Sequence, residues 1–550
     1  MAIASFIVVF KSLCLKLYDP DLWWHLASGR YMVQHGQVLR TDVFSFTLAG
    51  TPWINFEWLS QIALYGIFLA GGVRAVFGLK IILSLSALAW LALSLRSAGA
   101  RGIWQGILLG IGFLVLRPRL LERTELVTLN LLPITIWLFL EMRGGRGRKI
   151  FPWILGGLMV LWCNLHGGFV YGLGIAVLFA IGGRWAKEPG PVCQAFERTL
   201  TIMLAAALIN PYGPRLSGVI FDHLEQLGQG PSLIQEWSAP SFQGLPFFWA
   251  LLAGAAVALF LAVLRREPLA RFWGPSMVCF GMWGAFFYRN SALFVFVAAP
   301  FIAEAAPRLW PRQLETKRAA VWAWVAAVAL LFGQAHSLSR PVPRDPVFWN
   351  HFPRGASQFI RDQNLSGRVF NSYEFGGYLE WALPDRLVFA DGRYLFYPLL
   401  REQSQLNEAL ERSATADVWP RYFDRHGITY AVVKYPDLFF RYSGYPFHFS
   451  SLNRMFPRSG WALVFWDDAS LVFVRRSAEF SPLIEREEYK SLWPYNLEQM
   501  EFLLKAKQVS PAAAEAELER NHRRTGPTAR GAELHDLIVG LSNGEKSIAH

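Results

Sequence analysis

The sequence is poor in cysteine and lacks several common site motifs. Its 550 residues include only four cysteines, at positions 14, 163, 193 and 279, and none follows Cys279. The C-terminal part therefore cannot contain a disulfide, whichever compartment it faces. No Cys/His spacing typical of a zinc site occurs, and neither a GxGxxG fingerprint nor a Walker loop is present. The sequence therefore predicts neither a zinc site nor a nucleotide site.

Charge is also scarce. Charged residues make up 17% of the chain and hydrophobic residues 53%, whereas soluble domains carry roughly 25% charged residues. Several apolar runs approach the roughly 17–25 residues that a bilayer span needs. We predict a mostly α fold: a polytopic helical membrane domain of about 11 spans, followed by a C-terminal soluble α/β domain. After the first span, the predicted spans are Ala75–Leu95, Ile103–Leu116, Leu126–Leu140, Phe151–Leu165, Val170–Ile181, Thr199–Ile209, Phe247–Leu264, Phe272–Phe287, Ala292–Ile302 and Ala319–Phe332. Trp58–Leu69 is predicted as a helix lying on the outer interface.

The net charge of +12 does not indicate a nucleic-acid partner. Many of the basic residues fall in short loops between apolar runs, such as RGGRGRK at Arg143–Lys149. Cytoplasmic loops of membrane proteins are rich in Lys and Arg, which explains much of this charge. We therefore expect membrane lipid, and no nucleic acid, as a partner.

The first apolar run, Ala2–Leu17, is interrupted by Lys11 and Lys16. Because no small-residue cleavage site follows, we interpret it as a retained span rather than a signal peptide. If it runs outward, the loop after it and the C-terminal domain are extracytoplasmic, at a bacterial inner membrane. The predicted divisions are a membrane domain over 1–340 with its first outer loop at 18–57, an extracytoplasmic α/β domain over 344–480, and a polar helical tail over 481–550.

The stretch YDPDLWWHLASGR, at Tyr18–Arg30, carries two carboxylates two residues apart, Asp19 and Asp21. Hard cations such as Mg²⁺ or Mn²⁺ prefer oxygen ligands, so the pair is a candidate metal site. Alternatively, Asp21 acts as a general base and Asp19 supports it. A structural alternative also exists, in which Asp21 caps a helix and the tryptophans anchor it at the membrane interface.

Under the predicted topology, further polar residues gather with these aspartates at the outer face. Ionisable groups at membrane depth usually mark a functional cavity. Arginine suits phosphate oxygens, so we expect Arg117 and Arg289 to hold phosphate, and His166 and Glu236 to position substrates. Several of these residues have structural alternatives as helix caps, turns or interface anchors. The predicted substrate-binding residues are Trp24, His25, Glu57, Arg117, His166, Asn210, Glu236, Arg289 and Asn290.

The C-terminal domain carries two further polar motifs, at Asn371–Tyr378 and Asp391–Arg393. One interpretation is a lid or acceptor site over the membrane cavity. The other is a pair of turns with an internal Asp–Arg pair. The predicted strands are Gly367–Tyr378, Leu387–Asp391, Ile428–Val433 and Trp461–Arg475, and the predicted helices Phe352–Gln363, Tyr397–Ala409, Trp419–His426, Glu485–Gln508 and Pro511–Arg524.

Two resemblances add to this picture. The segments DPDLWWHLASGR, TPWINFEWLS, NLHGGF, VFNSYEFGGYLEW and VFADGRYLFYP resemble a family of bacterial multi-pass membrane proteins with a DPDxWWH first-loop motif. In architecture, residues 1–340 resemble the GT-C type membrane glycosyltransferases, the class containing oligosaccharyltransferases and protein O-mannosyltransferases. The acidic first-loop motif of that class maps onto Asp19-Pro20-Asp21. The C-terminal domain shows no WWDxG-type acceptor motif, which argues against a true oligosaccharyltransferase.

The resemblance implies transfer of a hexosyl or pentosyl group in the cell envelope. The donor would be a polyprenyl-phosphate-linked sugar, and the acceptor a glycan, lipid or protein at the extracytoplasmic face. Two alternatives remain open. One is a transporter or flippase of a lipid-linked or anionic solute, which needs polar groups continuing through the bilayer. The other is a non-catalytic membrane assembly protein, in which these side chains matter only for stability.

Overall fold

The computed structural model describes residues 2–218, 235–309, 341–412, 417–441 and 447–542. The described chain is mostly helical and divides into two compact units. The helical unit comprises Met1–Asp19, Gly29–Leu39 and Ile54–Val347. The sheet unit comprises Pro20–Ser28, Arg40–Trp53 and Phe348–His550.

The first eleven described α-helices belong to the helical unit, except that the second begins with residues of the sheet unit. They are α1 Ala2–Leu13, α2 Asp21–His35, α3 Trp58–Ser97, α4 Ile103–Leu116, α5 Glu125–Arg143, α6 Phe151–Leu165, α7 Phe169–Trp185, α8 Gly190–Ala206, α9 Pro246–Leu264, α10 Pro268–Phe286 and α11 Tyr288–Leu309.

Among the described residues, four helices are long and apolar enough to cross a membrane: α3, α5, α9 and α11. Two shorter helices, α6 and α7, are also apolar. These helices are those of a membrane protein, and the predicted count of about 11 spans stays a prediction. One predicted span, Ala319–Phe332, lies outside the described residues.

The long helix α3 is broken at Gly71 and Gly72, whose backbone is not helical. Gly72 has a φ of 60°, a conformation that glycine adopts at little cost. The break falls between two segments that the sequence predicts as separate helices, Trp58–Leu69 at the interface and Ala75–Leu95 across the bilayer.

Several predicted spans have bounds that differ from those of the helices, and α8 is an example. The sequence predicts Thr199–Ile209, whereas α8 begins at Gly190 and ends at Ala206. Its early turns carry Glu197, which pairs with Arg184 on an exposed face. A search for apolar runs misses such turns because only one of their faces is apolar.

Aromatic side chains fill the core of the helical unit. Phe139 packs edge-on against Phe196 at 5.0 Å between ring centroids, and Phe179 against Trp273 at 5.3 Å. All four rings are buried. Large apolar side chains also point outward, Phe260 being 62% exposed. Exposed apolar surface of this kind suits contact with lipid.

The sheet unit contains a four-stranded sheet with the order β1-β2-β6-β5. β1 runs parallel to β2, and β6 is antiparallel to both of its neighbours. β3 and β4 form a separate antiparallel pair. The strands are β1 Arg368–Asn371, β2 Ile428–Lys434, β3 Phe439–Phe440, β4 Phe449–Ser450, β5 Trp461–Trp466 and β6 Ser470–Arg475.

Nine described α-helices accompany the sheet. They are α12 Arg354–Asp362, α13 Tyr373–Ala382, α14 Tyr397–Arg412, α15 Val418–His426, α16 Ser451–Met455, α17 Ser481–Glu487, α18 Leu497–Lys505, α19 Pro511–Thr525 and α20 Ala529–Ser542.

Three predicted strands of this unit are wrong in part or in full. The segment predicted as one strand over Trp461–Arg475 forms two strands, β5 and β6, separated by Asp467–Ala469. The strand predicted over Gly367–Tyr378 ends at Asn371, and α13 follows it. The segment predicted as a strand at Leu387–Asp391 makes only an isolated bridge through Val388. Val388 exchanges backbone hydrogen bonds with Phe44 and Phe46, and Asn371 Oδ1 accepts a hydrogen bond from the Phe389 N–H at 2.8 Å.

The helix predicted over Glu485–Gln508 is also wrong, because α17 and α18 are separate helices. Pro494 lies between them, and proline disrupts a helix interior.

Candidate functional site

Glu122 connects the N-terminal segment to the turn between α4 and α5. Its Oε1 accepts hydrogen bonds from the backbone N–H groups of Tyr18 at 2.5 Å and Asp19 at 2.8 Å. Its Oε2 lies 3.1 Å from the Nζ of Lys80, which projects from α3 and is 3% exposed. These contacts fix the backbone of Asp19 inside the helical unit.

The Asp19 carboxylate belongs to a network of arginines and carboxylates. It accepts a hydrogen bond from Nε of Arg123, whose Nη1 donates to Oε1 of Glu236 at 2.5 Å. The same Glu236 oxygen lies 2.7 Å from Nη1 of Arg119, which also pairs with Glu125. We call these five residues the arginine–carboxylate network. It joins the N-terminal segment, the α4–α5 turn, the start of α5 and the 3-10 turn Gln235–Trp237.

Two members of the network, Glu236 and Arg119, have pKa values that favour their charged forms. Burial acts to raise the pKa of Glu236, but the charges of Arg123, Arg119 and Arg289 lower that pKa to about 2. Burial likewise acts to lower the pKa of Arg119, and the carboxylates of Glu125 and Glu236 raise it above its ordinary value. Each charge is therefore retained because an opposite charge lies next to it.

His166, in the turn between α6 and α7, is buried and neutral. Burial, together with the charges of Arg289 and Arg119, lowers its pKa to about 3. Its Nδ1 accepts a hydrogen bond from the Gly168 N–H at 2.9 Å, so the proton of the neutral ring lies on Nε2. That atom is 3.7 Å from Oε1 of Glu57. His166 can therefore offer an N–H donor, but not a positive charge.

Arg289, near the start of α11, differs from the other arginines of this region. Within the part of the chain that the structure describes, its guanidinium makes no hydrogen bond or ion pair, although its charge acts on His166 and Glu236. It is partly buried. The next residue, Asn290, accepts a hydrogen bond from the Tyr171 hydroxyl at 2.8 Å. Arg289 is thus suited to bind an anion from outside the chain.

Arg117 lies beside a cavity of about 150 Å³ within the helical unit. Lys80 and Tyr18 also line this cavity, and most of its other lining residues are leucines. Burial lowers the pKa of Arg117. The cavity combines two cationic side chains with an apolar wall, a combination that fits a small anionic group attached to a hydrocarbon chain.

The side chain of Asn210 makes hydrogen bonds within its own turn. Its Nδ2 donates to the carbonyl oxygen of Ala207 at 2.8 Å, and its Oδ1 accepts from the Tyr212 N–H at 2.9 Å. The geometry corresponds to the structural alternative, a turn. Glu57 accepts a hydrogen bond from the Thr124 hydroxyl at 2.5 Å, which links it to the start of α5.

The other predicted site residues, Asp21, Trp24 and His25, belong to the sheet unit. Asp21 is the first residue of α2, and its Oδ1 accepts a hydrogen bond from Nε1 of Trp24 at 3.2 Å. Trp24 and His25 are buried, with ring centroids 3.7 Å apart. The backbone of Gly392 lies so close that an added Cβ would be 2.4 Å from Asp21 Oδ1.

The Asp391–Arg393 motif forms an internal ion pair, as in the structural alternative. Arg393 is 2% exposed, and its Nη2 lies 2.5 Å from Asp391 and 2.6 Å from Asp42. Burial and the charge of Asp391 raise the pKa of the neighbouring Glu380 well above its ordinary value. The four side chains form a buried charge cluster inside the sheet unit.

The residues do not fit the predicted Mg²⁺ or Mn²⁺ site. Among the described residues, no group of three or more His, Cys, Asp or Glu side chains is arranged to hold a metal ion. The Asp19 carboxylate is bound by a guanidinium, and Asp21 accepts from an indole N–H in the other unit.

Several residues of the site are absent from the predicted catalytic and substrate-binding residues, although Arg119 and Glu122 are among the polar residues that the predicted topology places at the outer face. Arg119, Arg123, Glu122 and Glu125 hold the network together, and Lys80 pairs with Glu122. One sequence signal points to the arginines. Under the predicted topology, Arg117–Arg123 is the main basic cluster on the outer side, against the usual orientation rule.

The fold is similar to that of archaeal oligosaccharyltransferases, which are of the GT-C type that the sequence resemblance names. Among solved structures, the chain is similar to the apo oligosaccharyltransferase of Archaeoglobus fulgidus, with a TM-score of 0.51 and 12% identity over 79% of this chain and 69% of that one. It is also similar to archaeal oligosaccharyltransferase AglB from Archaeoglobus fulgidus in complex with an inhibitory peptide and a dolichol-phosphate. That match has a TM-score of 0.53 and 11% identity over 96% of this chain and 87% of that one. Identity this low shows the fold alone. No family model and no curated protein matches the chain.

Proposed function

We propose that the protein is an integral membrane glycosyltransferase that uses a polyprenyl-phosphate-linked sugar at the extracytoplasmic face. The observation that carries this proposal is the arginine–carboxylate network. It gathers Asp19, Arg123 and Glu236 from distant parts of the chain into the apolar helical unit. Buried charge of this kind is costly in a membrane protein and usually serves a function. The GT-C fold supports the same class of reaction.

Arg289 is the proposed contact for the donor phosphate. Glycosyl transfer breaks the bond between the sugar carbon and the phosphate oxygen, so negative charge grows on the phosphate. A guanidinium placed at that oxygen stabilises the charge as it forms. Arg289 has no hydrogen-bond or ion-pair partner among the described residues. Its positive charge is partly balanced by the Glu236 carboxylate, on which it acts.

The cavity beside Arg117 offers a second place for an anion, at the end of an apolar wall. A lipid-linked phosphate has a charged head and a hydrocarbon tail, and this cavity offers Lys80, Arg117 and leucine side chains for the two parts. We propose that the cavity receives the head of a membrane lipid phosphate. The acceptor hydroxyl needs a base, and the proposed bases are Asp19, held by Arg123, and, separately, Asp21.

The test is turnover of radiolabelled polyprenyl-phosphate sugar by membranes that contain the full-length protein. The variants are Asp19→Asn, Asp21→Asn and Arg289→Met. Arg184→Met is the control, because Arg184 forms an exposed ion pair with Glu197 elsewhere in the helical unit. We expect the control to keep its activity. We also expect Arg289→Met to lose on the order of 100-fold, the loss typical when a group that stabilises developing charge is removed. Asp19→Asn should lose on the order of 100-fold or more, as expected on removal of a general base.

Full activity in both Asp19→Asn and Arg289→Met, at equal expression, would contradict the proposal. Full activity in Asp21→Asn alone would remove only that residue as a base. Absence of turnover with every polyprenyl-phosphate sugar, in wild-type membranes, would contradict the donor class.

A further inference from the structure

We infer that the site works without a bound divalent cation, because the Arg123 guanidinium fills the place between Asp19 and Glu236 that a cation would take. The inference rests on the proposed function for what the site does. The contacts that support it, however, involve only residues of the helical unit.

Arg123 binds the two carboxylates through different nitrogens. Its Nε donates to Oδ2 of Asp19, and its Nη1 donates to Oε1 of Glu236 at 2.5 Å. A planar guanidinium presents its donors in a fixed fork, so one side chain can bridge two acceptors in this way. Asp19 and Glu236 are thus already linked by a positively charged group.

A second guanidinium strengthens this arrangement. Nη1 of Arg119 lies 2.7 Å from the same Glu236 oxygen, and Arg119 is 3% exposed. Mg²⁺ needs close oxygen ligands at about 2.0–2.1 Å in near-octahedral geometry. Such an ion would compete with Arg119 and Arg123 for the lone pairs of Glu236, and its charge would repel both guanidiniums.

The balance of charges in this region also disfavours a bound divalent cation. The network has three carboxylates, those of Asp19, Glu125 and Glu236, and two guanidiniums. Arg289 adds a third positive charge close enough to act on Glu236. An added divalent cation would leave an excess of positive charge where burial makes uncompensated charge costly. The arginines therefore supply the positive charge that faces a leaving phosphate.

Mn²⁺ binding tests the inference without any need for turnover. The purified full-length protein in detergent is treated with EDTA, exchanged into metal-free buffer and titrated with Mn²⁺, and free Mn²⁺ is followed by electron paramagnetic resonance. We expect wild type to bind no Mn²⁺ at micromolar concentrations. Binding in wild type that Asp19→Asn or Glu236→Gln abolishes would overturn the inference.

Arg123→Met removes the guanidinium and leaves two carboxylates near one another. We expect this variant to gain Mn²⁺ binding, and the gain to disappear when Glu236→Gln is added. Arg123→Lys is the matched control, because it keeps the positive charge, and we expect it to bind no Mn²⁺. A correctly folded Arg123→Met protein without any gain would overturn the claim that the guanidinium occupies the place of a cation.

A thermal unfolding measurement on wild type covers the case in which Arg123→Met does not fold. The inference predicts the same Tm in EDTA and in Mn²⁺, and a rise in Tm with Mn²⁺ that Asp19→Asn removes would overturn it. Failure of the inference and failure of the proposed function remain distinguishable, since metal binding and sugar turnover are measured separately.

Discussion

Glu122 holds the backbone of Asp19, whose N–H donates to Oε1 of Glu122 at 2.8 Å. The other oxygen of the same carboxylate faces Lys80, which is 3% exposed and also donates to the carbonyl oxygen of Leu15 at 3.1 Å. A single glutamate therefore neutralises a buried ammonium and sets the position of an aspartate in the network.

Glu122→Gln should destabilise the protein by about 3 kcal/mol, because it leaves the Lys80 ammonium buried without its counter-charge. The measurement is the free energy of unfolding in mixed micelles. The double variant Lys80→Met/Glu122→Gln should lose less than the two single variants together, since the unpaired charge is then gone. An unfolding free energy unchanged in Glu122→Gln would show that the ion pair contributes nothing.

Stability should depend on Glu236 in an acidic pH range. Its pKa falls from an ordinary 4.5 to about 2 in the folded protein, so the folded state binds this proton more weakly than the unfolded chain. Glu236 therefore contributes about 3 kcal/mol, present in full above pH 4.5 and lost as the pH falls toward 2. The measurement is the difference in unfolding free energy between wild type and Glu236→Gln across this range. A difference that does not shrink on acidification would contradict the prediction.

Arg393→Met should destabilise the sheet unit by about 3–5 kcal/mol, because it leaves the buried carboxylates of Asp391 and Asp42 without their shared cation. Arg412→Met is the control, since Arg412 is exposed and pairs with Glu408 one helical turn away, and such pairs contribute little. Thermal unfolding followed by tryptophan fluorescence measures both variants. Equal Tm values for the two would contradict the prediction.

Gly376→Ala should also destabilise the sheet unit, by at least about 2 kcal/mol. A Cβ at this position of α13 would lie 2.0 Å from the carbonyl oxygen of Ala390, and backbone cannot move aside as a flexible side chain can. Gly460→Ala is the matched control, because its nearest neighbour would be 3.9 Å away. The same fluorescence measurement decides between them, and a Gly376→Ala protein as stable as Gly460→Ala would argue against this close approach.

Local pattern was enough to place several helices. The predicted segments Ile103–Leu116 and Phe151–Leu165 agree with α4 and α6 at both ends, because each apolar run ends abruptly in polar or glycine-rich sequence. The same reasoning failed at Gly367–Tyr378, where a strand passes into a helix after four residues. Short aromatic runs fit either structure, so their periodicity does not decide between them.

The sequence pattern could not predict which side chains pair with one another in the site. The spacing of Asp19 and Asp21 indicates a shared role, yet Asp19 pairs with Arg123 in one unit and Asp21 accepts from Trp24 in the other. Spacing along the chain carries no information on which distant side chain arrives next to each carboxylate. The orientation rule did single out Arg117–Arg123, because a charge cluster that departs from it needs another reason to be present.

The composition of the sheet unit has a consequence for biosynthesis. Pro20–Ser28 and Arg40–Trp53 belong to it, although its main part begins only at Phe348. At the usual rate of translation, the ribosome needs on the order of tens of seconds to make the intervening chain. During that time Trp23 lacks the aromatic rings that pack against it in the folded protein, such as those of Trp349 and Tyr378. A nascent chain stalled before Phe348 would therefore expose this segment to chaperones and proteases.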